Sequence, residues 1–211
     1  MPRRDIKTIA DHLYWSYANL AMAHAALSKG DETYSGVHFI VRARLYSGLQ
    51  EGRMRVGSLI EDDRAKLALP RACCYCGAAS RLSLDHLWPK SHGGSESSDN
   101  IVWCCLCCNS AKGARDVLDW LKARGVFPPL LLLRRYLKLA IRYCRENALM
   151  DEPLQSEVAR GLPFSLESVP HEFPHPRDLI LHVAPRSGPS ADRPASQGIR
   201  GLDRRSEEDV S

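Results

Sequence analysis

Ile6, Leu13, Leu20 and Leu27 recur every seven residues, with Ile9 and Tyr17 on the same side. Such a stripe predicts an amphipathic helix over residues 5–29, with Gly30 as its stop. "GVHFIVRARLYSGLQ" predicts a second helix over 36–50, and 51–70 a shorter helix and a connection. The pattern then changes. Over 71–114 the chain is rich in cysteine and glycine and has few helix-forming runs. Leu82 and Leu84 alternate with polar neighbours, which predicts a short strand; "SHGGSESSDN" is turn chemistry, and "NIVW" predicts a second strand. Helical pattern returns at 115–124 and again near 128–148. There Leu133, Leu137, Ala140, Ile141 and Cys144 form an apolar stripe, while Arg135, Lys138, Arg142 and Arg145 fall on another face. From Pro185 onward large apolar residues are almost absent, so burial cannot offset ordering entropy and a disordered tail is expected. The resulting division is a helical region at 1–70, a cysteine-rich module at 71–114, a second helical region at 115–184 and the tail at 185–211.

Composition narrows the class. The chain has 211 residues, 44% of them hydrophobic and 26% charged, within the range of globular proteins. Its longest apolar stretch, "VFPPLLLL", is too short to span a bilayer, so no membrane partner is expected. The basic start "MPRRDIKTIADHLY" lacks the uninterrupted apolar run of a signal peptide. A reducing cytoplasm is therefore the expected location, where eight cysteines argue for metal rather than disulfides. The net charge of +4 is unevenly spread: residues 116–150 carry seven basic and three acidic side chains, residues 151–185 two basic and six acidic. A concentrated basic segment suits a polyanionic partner.

Two C-x-x-C knuckles can supply the four thiolates of a tetrahedral zinc site. In "CCYCG" only Cys73 and Cys76 have the spacing; in "WCCLCCN" both Cys104 with Cys107 and Cys105 with Cys108 satisfy it. Cys144, on an apolar helix stripe, reads as a core residue. His92 reads as an ordinary loop residue. The prolines of "PHEFPHP" break any helix that would align His171 with His175 as metal ligands.

The run "CCYCG…LDHLWPKSHGG…DNIVWCCLCCNSAKG", about residues 71–114, resembles an HNH endonuclease domain of the ββα-metal type, in its zinc-ribbed variety. It implies a small central zinc-stabilised ββα-metal module; together with the helices that the hydrophobic pattern predicts on either side, the expected fold class is α+β, a mostly helical chain around that module. The family places its last metal ligand directly after the second knuckle, which selects Cys105 and Cys108, followed by Asn109. Carried over, the resemblance makes His86 the general base, held by Asn100 at an irregular strand end, and Asp85 and Asn109 the ligands of a catalytic Mg²⁺ or Mn²⁺. The chemistry is coherent in its own right. Histidine titrates near neutral pH, and a carboxylate and an amide oxygen are hard donors. Lys90, Lys112, Arg135, Lys138 and Arg142 are the expected nucleic-acid contacts. The expected activity is metal-dependent hydrolysis of DNA to 5′-phosphate and 3′-hydroxyl ends, with RNA left open as substrate and the helical arms as candidates for homodimerisation. The rival is a non-catalytic zinc module that binds nucleic acid.

Overall fold

The computed structural model describes residues 5–186. Helix α1 spans Ile9–Lys29 and starts later than the heptad stripe predicts, because Thr8 caps it. The Thr8 hydroxyl accepts from Asp11 N–H at 3.1 Å and the Asp11 carboxylate accepts from Thr8 N–H at 3.1 Å, a reciprocal box that satisfies two otherwise orphaned donors. The residues before it run extended beside 152–154, with Leu154 N–H donating to Lys7 O at 3.0 Å. Gly30, at φ 72°, ends the helix as expected.

Helix α2 spans Gly36–Gln50 and α3 spans Leu59–Ala68. Strand β1, Leu82–His86, pairs antiparallel with β2, Ile101–Cys105, in the register Asp85↔Val102 and His86↔Ile101. Helix α4, Leu106–Lys112, follows β2 without a linker. Helices α5, Val117–Lys122, α6, Leu130–Glu146, and the single turn α7, Glu157–Arg160, complete the helical part. Among the described residues the chain is thus mostly helical with one two-stranded sheet. No described helix is long and apolar enough to cross a membrane.

One core runs through all three expected regions. Leu13 and Leu20 of α1, Leu87 and Trp88 after β1, Val102 of β2, and Leu133, Leu137 and Cys144 of α6 belong to the same buried cluster. Trp88 is its hinge. The indole stacks on Phe164 at 4.9 Å and meets Tyr136 and Tyr143 edge-on at 5.9 and 6.0 Å. The cysteine module is therefore seated on α6 by aromatic packing.

Helix α6 departs from the two-faced expectation. Its apolar stripe is buried, but so are Arg135 and Lys138, each 4% exposed. Lys138 pairs with Asp62 of α3 at 2.8 Å and donates to Ser58 O at 2.8 Å; Arg135 pairs with Asp63 and donates to Ser98 O and Asp99 O. Buried charges persist only when paired and hydrogen-bonded, and α3 supplies the acids.

The backbone donors at the start of α6 are met by the C-terminal segment: Leu130 and Leu131 N–H donate to Ile180 O and Leu181 O, each at 3.0 Å. That segment continues to the first knuckle, where Arg186 N–H donates to Gly77 O at 2.8 Å. Pro185 and Arg186 belong to the described fold; the rest of the expected tail, from 187, lies outside the described residues.

Candidate functional site

The sulfur atoms of Cys73, Cys76, Cys105 and Cys108 all lie within 4.8 Å of one another. Each knuckle is shaped by its own turn. Gly77, at φ 79°, lets its N–H return to Cys73 O at 2.8 Å, and the Cys105 sulfur caps α4 by accepting Cys108 N–H at 3.4 Å. Crowding sets the thiols against one another. Contact with Cys108 pushes the Cys73 thiol down to about 5, burial pushes Cys76 up to about 11, and the Cys108 thiol is driven upward chiefly by Cys73. Four sulfurs competing for protons in one cage fit a thiophilic cation such as zinc. This is the Cys105–Cys108 register. Cys104 instead lies buried against its cross-strand partner Ser83, 3.3 Å from the hydroxyl, and Cys107 is exposed. Cys144 is a fully buried core residue. His92 is exposed at the end of a single 3₁₀ turn, Lys90–His92, between the strands, and His171 and His175 join no metal-binding cluster among the described residues.

Strand β1 stays regular through His86, so Asp85 and His86 point to opposite faces. The irregular strand end expected there does not form. Asp85, 5% exposed, has both oxygens engaged. Its Oδ1 accepts from Lys112 Nζ at 3.0 Å and from His86 N–H at 2.8 Å, and its Oδ2 accepts from the Tyr75 hydroxyl at 2.7 Å. His86, on the other face, has its Nε2 buried with no partner.

Asn100 does not hold the His86 ring. Its Oδ1 accepts from Trp88 N–H at 2.9 Å, and its Nδ2 donates to Trp88 O at 3.0 Å and Ser95 O at 2.8 Å. With Leu87 N–H donating to Asn100 O at 2.9 Å, the residue extends the ladder past the end of β1 and closes the loop between the strands. Gly94 belongs to the same closure: any side chain there would run into Trp88 O.

The expected Mg²⁺ or Mn²⁺ ligands do not form a site as they stand. Asp85 is sealed by Lys112 and Tyr75, and the Asn109 amide is turned to Ser83 Oγ at 3.1 Å and Leu84 O at 3.3 Å through Nδ2. A hydrated divalent ion needs several exposed oxygen donors, and an ammonium group occupies the space beside the one carboxylate.

The expected phosphate contacts divide in the same way. Lys112 is 1% exposed and spends its ammonium on Asp85 and on His86 O at 2.8 Å, so it faces inward. Arg135 and Lys138 are consumed by α3 and by the turn before β2. Arg142 remains partly exposed, paired with Asp99 at 2.8 Å, and Lys90 is exposed beside Glu96. Sequence reasoning missed Tyr75. It lies inside the first knuckle, and only its packing on Trp120 and its bond to Asp85 show what it does.

A four-thiol cage, an antiparallel pair and a short helix opening at the second knuckle define a zinc-knuckle ββα module. Residues 73–118 match the family model described as HNH endonuclease. The flanking helices lie outside the match. It runs past 114 to the start of α5, where Val117 N–H donates to Leu87 O at 3.1 Å and so ties α5 to the module. No curated protein and no solved structure matches the chain.

Proposed function

We propose that this module hydrolyses phosphodiester bonds within DNA, with His86 as the general base. The observation that supports the reading is the imidazole itself. Its Nε2 is engaged by no protein group, which leaves it available to a proton, and it lies within the segment that matches the HNH endonuclease model. Taking a proton from water is work an imidazole commonly does as a general base. Attack of that water on phosphorus with loss of the 3′ oxygen leaves 5′-phosphate and 3′-hydroxyl ends. Dependence on Mg²⁺ or Mn²⁺ is what the family likeness implies. A reducing cytoplasm is part of the proposal because the zinc thiols must stay reduced.

The sealed Asp85 favours a second reading, a zinc module that binds nucleic acid without cutting it. Nicking of supercoiled plasmid, run in Mg²⁺, in Mn²⁺ and in EDTA with an RNA substrate in parallel, separates the two. The nuclease reading expects wild-type nicking that His86→Ala lowers roughly 10²–10⁴-fold, with zinc content and DNA affinity retained. Wild-type protein that binds DNA and leaves it intact under every cation supports the binder.

A further inference from the structure

Both main-chain polar atoms of His86 are held by a single buried ion pair. Its N–H donates to Asp85 Oδ1 at 2.8 Å, and its carbonyl accepts from Lys112 Nζ at 2.8 Å. Lys112 and Asp85 bond to each other at 3.0 Å, and Tyr75 braces the second Asp85 oxygen at 2.7 Å. The clamp is also tied to the zinc cage at both ends. Tyr75 sits between Cys73 and Cys76, and Lys112 is the last residue of the helix that Cys105 caps. A metal held at the knuckles would thus also anchor Tyr75 and Lys112, the outer members of this network.

We propose that Lys112 and Asp85, braced by Tyr75, are positioning residues that aim the His86 imidazole, and that neither carries a metal ion or a phosphate. This rests on His86 being the base. An ammonium group 1% exposed cannot reach a DNA backbone, and a carboxylate with three internal donors has little left for a cation. A base misdirected by a fraction of an ångström slows the chemical step while leaving substrate binding intact.

The test is steady-state cleavage by Lys112→Met, Asp85→Asn and Tyr75→Phe, with zinc content and melting as checks of folding. Lys112→Met is expected to lower kcat by about 10- to 100-fold, with KM, the salt dependence of binding and the half-saturating cation concentration all unchanged. Tyr75→Phe, which leaves the ion pair in place, is expected to show a smaller fall of the same kind. A raised KM with a shallower salt slope in Lys112→Met would make Lys112 a phosphate contact and overturn the proposal. A shifted cation requirement in Asp85→Asn would overturn it by making Asp85 a ligand. Removing one partner of a buried pair destabilises the fold. If Lys112→Met does not fold, Tyr75→Phe decides, and a folded Tyr75→Phe with wild-type kcat sinks the clamp. His86→Ala keeps the two failures apart. An inactive His86→Ala beside fully active clamp variants rejects this inference alone, whereas wild-type cleavage by His86→Ala rejects the reading beneath it.

Discussion

Asn100 holds Trp88 by both of that residue's backbone polar atoms, accepting its N–H at 2.9 Å and donating to its carbonyl at 3.0 Å. The amide thereby acts as one more rung of the sheet, at a site only 1% exposed. Asn100→Ala strands the Trp88 N–H and removes the donor to two carbonyls, at about 1–3 kcal/mol for each buried group left unsatisfied. A total loss of about 2–6 kcal/mol, from the two Trp88 groups, is expected in urea unfolding, followed by loosening of the Trp88 seat on α6. Below its melting range the variant is expected to keep much of its cleavage activity, since Asn100 does not touch the His86 ring. Full inactivation of a folded Asn100→Ala would give the amide a part in the chemistry.

The cage makes a ranking among the cysteines. Cys105→Ser and Cys108→Ser each remove one of the four clustered thiols and are expected to lose zinc and unfold the module. Cys107→Ser, at an exposed position, should leave metal content and melting unchanged. Cys104→Ser replaces a buried thiol beside the Ser83 hydroxyl and should keep zinc at a modest cost in stability. Metal analysis with circular dichroism reads all four. Zinc lost from Cys104→Ser and kept by Cys108→Ser would mean the other register.

Charge neutralisation on α6 is expected to change stability rather than DNA affinity. Lys138→Met removes one of the two cations on Asp62, leaving Arg134 Nε at 2.5 Å on the other oxygen, and strips Ser58 O of its donor, so it should destabilise the fold by about 1–3 kcal/mol. Arg142→Ala removes a partly exposed pair with Asp99 and should cost no more than about 1 kcal/mol. Urea melts and DNA titrations on the same samples check both. A salt slope that flattens in folded Lys138→Met would return this face to phosphate binding.

This face of α6 shows where the sequence stops being legible. Spacing alone separated Arg135 and Lys138 from the apolar stripe, correctly. It could not show that Asp62 and Asp63, more than seventy positions earlier, would cover them, because pairing of distant helices leaves no local pattern. The heptad of Leu13 and Leu20 was legible because periodicity is local, as was the stop at Gly30. The zinc register was open from spacing and needed the family likeness. Asp85, His86 and Asn100 could be picked out as residues, but their partners could not. Those partners depend on which strand face meets α4 and on the path of a glycine loop.

Asp116 carries the pH dependence. It caps α5 by accepting Leu118 N–H at 2.7 Å and also accepts from the Tyr136 hydroxyl at 2.8 Å in the core. Burial raises its carboxyl from 3.8 to about 6, against the opposing pull of the bonds from Tyr136 and Leu118. The folded chain therefore prefers the protonated acid. Stability from this group is fully present below 3.8 and is lost as pH rises towards about 6. A shift of this size corresponds to something on the order of 3 kcal/mol. Asp116→Asn resembles the protonated acid and cannot ionise. Relative to wild type, it is expected to gain stability between pH 4 and pH 7, up to about 3 kcal/mol. Loss of zinc at low pH is common to both proteins and cancels in the difference. Urea unfolding of the pair across that range is the measurement. A stability difference that stays flat with pH would mean that the carboxyl is ionised in the folded chain throughout.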